Sequence, residues 1–450
     1  MKKVVLIAIS VCVISVGYAQ TSGVFANGQL VNQQLNTITT AVPVLLIAPD
    51  SRSGAMGDVG VAISPDANSM HWNASKLAFA EQMTGNEFEI SLSYSPWLKA
   101  LVPDINLAYL SGYYQMDENS TIGGSLRYFS LGSITFTNIT GQVIRDFNPN
   151  EFSLDFGYAR KLGEFFSMGV VGKYVYSNLT GGTPAAGQTT KAGHAGAVDV
   201  SAYYVNEELT VGGNFSTLSL GLNISNIGNK MSYTTATADR DFIPTNLRLG
   251  SALLINFDEY NTFTFAFDVN KLLVPTPPIY KKDDSTGNYI PIPNTNSYVI
   301  DAGKDPNVGV ATGIFQSFSD APGWPLVDDG GDPVRDDEGN LLIEKGSRFK
   351  EEMREINLSF GMEYWYSGQF AVRGGFFYEH PTKGNRQFFT LGAGLKYSVF
   401  ALDLSYLIPT QQRNPLANTL RFSLKFNFES MSNTESAKRH FNDHSDRIRV

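Results

Sequence analysis

The histidines and acidic residues of this sequence are the first candidates for chemistry, and their spacing matches no catalytic motif. The histidines lie far apart except for one pair near the end: His71, His194, His380, His440 and His444. His440 and His444, four residues apart, would suit a metal ion on one helix face, although a solvated tail is the simpler interpretation. The acidic residues 328–332 lack the spacing of a calcium-binding loop.

The sequence contains no nucleophile elbow, phosphate-binding loop or zinc-protease motif. We therefore predict that the protein is not an enzyme and that it has no catalytic residue, cofactor or bound metal. The formal net charge is -9, and the sequence shows no basic face of the kind that nucleic-acid binding favours. Nucleic acid is therefore not an expected partner.

Residues 1–19 have the features of a secretory signal peptide. Lys2 and Lys3 precede an apolar run over residues 4–16, and Ala19 stands at the expected cleavage site. A lipoprotein acceptor at Cys12 is the alternative, but the apolar run continues past it. Cys12 is the only cysteine, so cleavage would leave a secreted chain without disulfides.

From residue 87 to residue 428, apolar and polar residues alternate, which is typical of β-strands with two different faces. The clearest example lies near the end, where the apolar positions are Leu420, Phe422, Leu424, Phe426 and Phe428. We count about 14 strands of about 9 to 12 residues, the length of a tilted strand that crosses a bilayer. A soluble β-sandwich would also alternate, but its strands are usually about 5 to 6 residues long.

The connections between the predicted strands also favour a membrane barrel. Most even-numbered connections are tight turns, whereas the odd-numbered ones are mostly longer and the ninth covers residues 272–353. Outer-membrane barrels have short periplasmic turns and longer extracellular loops. The sequence therefore predicts an all-β fold, a transmembrane barrel of about 14 antiparallel strands in the cell outer membrane.

Charged side chains of both signs are predicted to face the barrel interior. The acidic ones are Glu87, Glu89, Asp155, Asp199, Asp268, Glu363 and Asp403; the basic ones are Arg127, Lys173, Arg248, Arg373, Lys396, Arg421 and Lys425. Because rings of one sign select ions, this mixture argues against a charge-selective porin. Paired charges around a filled interior are the preferred interpretation, and charges that line water are the alternative.

A stretch rich in glycine, alanine and serine precedes the strands. It contains Arg52, Gly54, Met56 and Gly57, followed by Asp66, Asn68, Trp72 and Asn73. Small residues allow backbones to approach closely, and Asp and Asn side chains cap turns and helices. The stretch therefore suits a compact segment packed inside a barrel.

These residues resemble the N-terminal hatch of the FadL family of outer-membrane proteins, which are barrels plugged by an N-terminal segment. The family motif ends Trp-Asn-Pro-Ala-Gly-Leu, whereas this sequence ends Trp72-Asn73-Ala74-Ser75-Lys76-Leu77. The chain is thus expected to comprise a signal peptide (1–19), a flexible arm (20–40), a hatch (41–86), a barrel (87–428) with a large extracellular loop (272–353), and a flexible tail (429–450).

Within that family, the chain is similar to the outer-membrane component of the type IX secretion system of Bacteroidetes. The resemblance implies a non-enzymatic barrel that binds the C-terminal signal domains of secreted cargo as they leave a large translocon barrel. It then passes the cargo to a sortase-like attachment complex, while its wall contacts outer-membrane lipid. Phe315, Phe318 and Trp324 in the large loop are the candidate partner-binding residues, expected to be exposed apolar anchors. An extracellular cap without partner contacts is the alternative interpretation of this loop.

Passive uptake of a hydrophobic small molecule is the alternative function that the same family implies. It requires an apolar pocket beside the hatch, to which the inward-facing Val171, Val175, Leu254 and Phe377 would contribute. A membrane hydrolase is a further alternative, but no set of residues suited to a nucleophile supports it.

Overall fold

The computed structural model describes residues 35–429 except 100–101, 103, 138–139, 184–188, 235–239, 284, 294–296, 331 and 412–413. The predicted signal peptide, arm residues 20–34, tail residues 430–450, and His440 and His444 lie outside the described residues.

Fourteen strands in the described part of the chain form a closed antiparallel barrel. Together with four short strands outside the barrel, the strands of the described residues are, in chain order, β1 (Asn86–Pro96), β2 (Ile105–Asp117), β3 (Ser120–Leu131), β4 (Ile134–Thr137), β5 (Val143–Phe147), β6 (Asn150–Lys161), β7 (Phe166–Asn178), β8 (Gly193–Val211), β9 (Asn214–Gly228), β10 (Asn246–Asn256), β11 (Asn261–Leu272), β12 (Ile279–Tyr280), β13 (Ile300–Ala302), β14 (Ile356–Tyr366), β15 (Phe370–Tyr378), β16 (Gln387–Tyr397), β17 (Phe400–Pro409) and β18 (Leu420–Glu429). β4 pairs with β5 and β12 with β13 in two ribbons outside the barrel, and β1 pairs with β18 to close it. The predicted 14-stranded barrel is confirmed.

The helices are short. They are α1 (Ser51–Ala55), α2 (Ser69–Trp72), α3 (Ala80–Thr84), α4 (Val310–Gln316) and α5 (Ser347–Arg354), with 3-10 helices at Pro43–Leu46 and Ala74–Phe79. Among the described residues, no helix has both the length and the apolar composition needed to cross a membrane.

The barrel strands present different residues to the two sides of the wall. On the outer face, apolar side chains such as Phe156, Leu391 and Phe422 are exposed, as expected for a wall in contact with lipid. On the inner face, charged and small polar side chains such as Asp155 and Ser423 are buried. The buried core therefore lies inside the barrel, between the wall and the N-terminal segment.

The two ends of the barrel differ in the length of their connections. One end has the short turns 118–119, 162–165, 212–213, 257–260, 367–369 and 398–399, whereas the other has long connections, of which 273–355 is the longest. Short turns mark the periplasmic end and long loops the outer end. The turn between β8 and β9, the sixth connection of the barrel, was not predicted to be tight; it consists of Gly212 and Gly213, with φ of 61° and 87°, which glycine adopts without strain.

The chain before β1 runs through the lumen from the outer end to the periplasmic end. The backbone N–H of Asn36 donates to the carbonyl of Thr382 (3.1 Å), and its side-chain amide donates to the carbonyl of Pro277 (3.1 Å). At the periplasmic end, the carbonyl of Leu77 accepts a hydrogen bond from Thr121 (3.0 Å). Asn36, in the segment expected to be a flexible arm, therefore makes defined contacts at the outer mouth.

The connection 273–355, here called the outer platform, is structured. It contains β12, β13, α4, α5 and isolated bridges between residues 325 and 343. Helix α4 carries Phe315, and an antiparallel bridge joins Arg335 to Leu341 around the turn between them. The sequence did not predict α5, because its many charged residues hide the helical pattern.

Candidate functional site

Asp50 begins the first helix of the hatch. Its carboxylate accepts hydrogen bonds from the backbone N–H of Ser53 (2.8 Å) and from the indole nitrogen of Trp72 (2.7 Å). The first bond caps α1, and the second connects α1 to α2. Sequence reasoning missed Asp50, although an aspartate directly before a helix is a recognised capping signal.

Arg52 joins the hatch to the wall through buried ion pairs. Its guanidinium donates to both carboxylate oxygens of Glu363 (3.0 and 2.8 Å). Glu363 also contacts Arg373 (2.6 Å), which pairs with Asp403 (2.6 Å). Because these charges are removed from water, each requires a partner of opposite sign. Arg52 therefore fixes α1 to three strands of the wall, β14, β15 and β17.

Asp66 provides a second charged connection between the hatch and the wall. Its carboxylate lies 3.3 Å from Lys425 and 3.6 Å from Arg52. Lys425 also lies 3.0 Å from Asp403, so Asp66 completes the same network. The network combines three acidic and three basic groups, which fits the paired-charge interpretation of the interior.

Other inward-facing acids bind the backbone of the hatch. Glu89 accepts a hydrogen bond from the N–H of Ala67 (2.7 Å), and Asp268 accepts from those of Gly60 and Val61 (2.8 and 3.0 Å). Irregular backbone inside a barrel leaves amides that need partners, and these carboxylates supply them. Three of the predicted inward charges are only half-buried: Glu87, Lys396 and Lys173, whose ammonium pairs with Asp199 (2.7 Å).

The hatch approaches the wall most closely around Met56. Gly57 has φ of +71°, and an added Cβ would lie 2.6 Å from a backbone nitrogen of β15. An added Cβ on Gly375 in β15 would overlap the backbone of Met56, and one on Gly54 would overlap Arg421. Glycine is therefore required on both sides of this contact.

Asn68 and Trp72 also hold the hatch in place. The side-chain oxygen of Asn68 accepts a hydrogen bond from a serine hydroxyl of β2 (3.1 Å), and the Trp72 ring lies 5.0 Å from the guanidinium of Arg248. The ring nitrogens of the neighbouring His71 contact Arg127 (2.8 Å) and Arg248 (3.4 Å). His71 thus sits between two cations, which is unfavourable for a metal ligand. No cluster of three potential metal ligands occurs in the described residues.

Asn73 and Ser75 span the point where the sequence departs from the FadL motif. The side-chain nitrogen of Asn73 donates to the carbonyl of Val61 (3.0 Å), and its side-chain oxygen accepts from the N–H of Ser75 (3.1 Å). The second bond caps the 3-10 helix Ala74–Phe79. The carbonyl of Ser75 accepts from Ser167 of the wall (2.8 Å). This part of the hatch is therefore anchored without the proline and glycine of the family motif.

The inward-facing apolar residues that would line a ligand pocket are occupied by other contacts. Val171 and Val175 belong to two clusters of buried side chains that hatch residues complete. Phe377 stacks on a neighbouring ring of the wall at 5.0 Å, and Leu254 is half-buried. The hatch thus fills the space beside Val171 and Val175.

Buried ion pairs fix the outer platform to the barrel. Lys271 at the end of β11 lies 3.3 Å from Glu352 and 2.7 Å from Glu355. Lys383, in the connection after β15, lies 2.8 Å from Glu351 and 3.0 Å from Glu355. Sequence reasoning missed these residues, because the partners are distant in the chain.

The three predicted partner-binding residues do not share one environment. Phe315 and Phe318 are 78% and 50% exposed, as expected. Trp324 is only 9% exposed, and its ring lies 4.1 Å from the guanidinium of Arg354. The expectation that Trp324 is an exposed anchor was wrong, because side chains of the platform, among them Arg354 and Lys350, cover this ring.

Comparisons with known proteins give a family and several structural likenesses. The sequence profile of the family described as "Type IX secretion system protein PorV" matches residues 30–279. The Pseudomonas putida toluene transporter TodX is 14% identical, with 85% of this chain and 99% of that chain covered and a TM-score of 0.43. A Pseudomonas aeruginosa FadL homologue is 10% identical, with 87% and 99% covered and a TM-score of 0.40. The chain matches none of the curated proteins with which it was compared.

The profile covers more than half of the chain, and its range includes the hatch and every barrel strand through β11. The closed barrel, its lipid-facing wall and its two unequal ends agree with an outer-membrane location. The resemblance to a type IX secretion component is therefore confirmed. The chain belongs to the PorV family of type IX secretion system proteins and is a β-barrel of the outer membrane.

Proposed function

We propose that this protein is a non-enzymatic docking component of the type IX system. It binds the C-terminal signal domains of secreted cargo as they leave the translocon barrel, and passes them to the sortase-like attachment complex. The observation that carries the proposal is the contrast between a lumen filled by the hatch and an outer platform with exposed phenylalanines.

The lumen is poorly suited to conduct protein. The hatch is tied to the wall by ion pairs such as Arg52 with Glu363 (2.8 Å), and its Met56 backbone packs directly on wall glycines. Opening a passage would break several buried polar contacts at once, each costly to leave unpaired. Cargo therefore contacts this barrel from outside.

The platform offers a preformed surface for that contact. Lys271 and Lys383 hold its base through buried ion pairs, so little ordering is needed on binding. Phe315 and Phe318 project from it near the end of α4, and aromatic anchors commonly dominate protein interfaces. A cargo signal domain would cover these two rings.

We expect the double substitution Phe315→Ala and Phe318→Ala to weaken cargo binding by about a hundredfold or more, because truncating an aromatic anchor of an interface costs about 2 kcal/mol or more, and so to reduce cargo at the cell surface at least severalfold. Cell-surface cargo is measured by immunoblotting of surface-labelled cells, with the variant barrel quantified in outer membranes. Leu326→Ala is the matched control, since Leu326 is also an exposed apolar residue of the platform. Normal cargo display by a double variant present at wild-type levels would refute this role of the platform.

Passive uptake of a hydrophobic molecule gains no support from the interior. The residues proposed to line a pocket, Val171 and Val175, pack against the hatch instead.

A further inference from the structure

Helix α5 has its polar and apolar faces reversed relative to a typical surface helix. Its acidic residues Glu351 and Glu352 are 3% and 7% exposed, whereas Phe349 and Met353 are 68% and 46% exposed. A surface helix normally turns its apolar face inward. The exposed face of α5 therefore requires an apolar environment outside the protein.

The acidic side chains are buried for a structural reason. Glu351 accepts a hydrogen bond from the N–H of Gly323 (2.9 Å), and Glu352 accepts from that of Ala321 (2.8 Å). Both carboxylates also pair with lysines of the barrel rim. These contacts fix the rotation of α5 and leave Phe349 and Met353 facing outward.

A groove of about 190 Å³ lies between α5 and the outside of the barrel. Its lining is mostly apolar and consists of Leu247, Leu249, Val269, Lys271, Phe318, Glu352, Met353 and Ile356. Leu249 is exposed on the outer face of β10, so the groove continues the lipid-facing wall. Ile356, which follows α5 closely, begins strand β14, which places the groove where the wall meets the outer membrane surface.

The charges that α5 exposes are positive. Arg348 and Lys350 flank Phe349 and are exposed, while Lys271 in the groove is already paired with Glu352 and Glu355. Lys350 lies 3.6 Å from Glu344, but both side chains are largely in solvent, where such a pair is weak. Cations beside exposed apolar residues are typical of helices that lie at an anionic membrane surface.

We propose that this groove binds an anionic, phosphate-bearing lipid of the outer leaflet, with an acyl chain along Leu249, Val269 and Met353. Arg348 and Lys350, which are exposed on α5 just outside the lining of the groove, supply the positive charge for the lipid phosphate. Continuity with the lipid-facing wall and the sign of the exposed charges favour this occupant over a protein. The site fixes the platform relative to the membrane and does not depend on cargo binding.

The test uses the full-length barrel in nanodiscs that contain phosphatidylglycerol or phosphatidylcholine with a photoreactive acyl chain. Labelled peptides are mapped by mass spectrometry. We expect the phosphatidylglycerol probe to label the groove, and the double substitution Arg348→Gln and Lys350→Gln to reduce that labelling about tenfold, as expected for two cations near an anionic surface. Lys282→Gln is the control, since Lys282 is an exposed cation elsewhere on the platform, where it lies over the ring of Tyr289 (5.5 Å).

Two results would overturn the proposal. One is equal labelling of the groove by both lipids that the double substitution leaves unchanged, in barrels that remain folded. The other is a photoreactive residue at position 349 that cross-links in native membranes to protein and not to lipid, because the groove would then be a protein interface.

Discussion

At the level of single residues, close packing and charge pairing hold the hatch against the wall. Arg52 and Asp66 connect to wall charges that lie far away in the sequence, and Gly57 and Gly375 leave room for two backbones to meet. Removing one member of a buried ion pair typically costs about 3 to 5 kcal/mol. The hatch is therefore a stable part of the barrel.

Substituting Gly375 tests this contact. We expect Gly375→Val to displace the hatch or lower barrel stability by about 1 to 3 kcal/mol or more, because its side chain would overlap the Met56 backbone. The measurement is the temperature at which the barrel loses its compact gel mobility, together with protease sensitivity of the hatch.

Gly374→Val is the matched control, since its added Cβ would come no closer than 3.8 Å to a neighbouring atom. If both substitutions had the same small effect, the close contact between Met56 and Gly375 would not contribute to the stability of the barrel.

The sequence predicted the types of these residues better than their contacts. Arg52, Gly57, Asp66 and Asn73 were recognisable from the hatch motif, whereas their partners depend on how a closed barrel brings distant strands together. Trp324 was wrongly predicted to be exposed. In the sequence it is an aromatic residue in a polar loop, and only the structure shows that side chains of the platform cover it.

At the level of elements, the hatch has a direction. Asn36 contacts the outer connections, and α3 meets β1 at the periplasmic end, so the chain enters the lumen from the outer face. Strand positions were predictable, because alternation over a long strand is a strong signal. Helix α5 was not, since its acidic residues are buried by partners on β11 and in the connection after β15.

The direction of the hatch predicts that residue 35 is reachable from outside the cell. Leu35 is 66% exposed, and Cys12, the only native cysteine, lies in the predicted signal peptide. We expect Leu35→Cys to react with a membrane-impermeant maleimide in intact cells.

Glu118→Cys provides the opposite control, because Glu118 is exposed in a short turn at the periplasmic end. It should react only after the outer membrane is permeabilised. Labelling of Leu35→Cys only after permeabilisation would show that the hatch runs in the other direction.

At the level of the whole molecule, a plugged barrel carries a rigid platform on its outer face. Membership of the PorV family places the protein in type IX secretion, and the filled lumen supports the docking role proposed above. The barrel wall anchors it in the membrane, and the platform leaves Phe315 and Phe318 exposed.

Affinity purification of the tagged protein from native outer membranes tests this account most directly. We predict that a large translocon barrel and cargo with C-terminal signal domains are recovered with it, and that cargo recovery falls in the Phe315→Ala and Phe318→Ala variant. Recovery of the barrel without either partner, together with a small hydrophobic ligand bound in its lumen, would contradict the account.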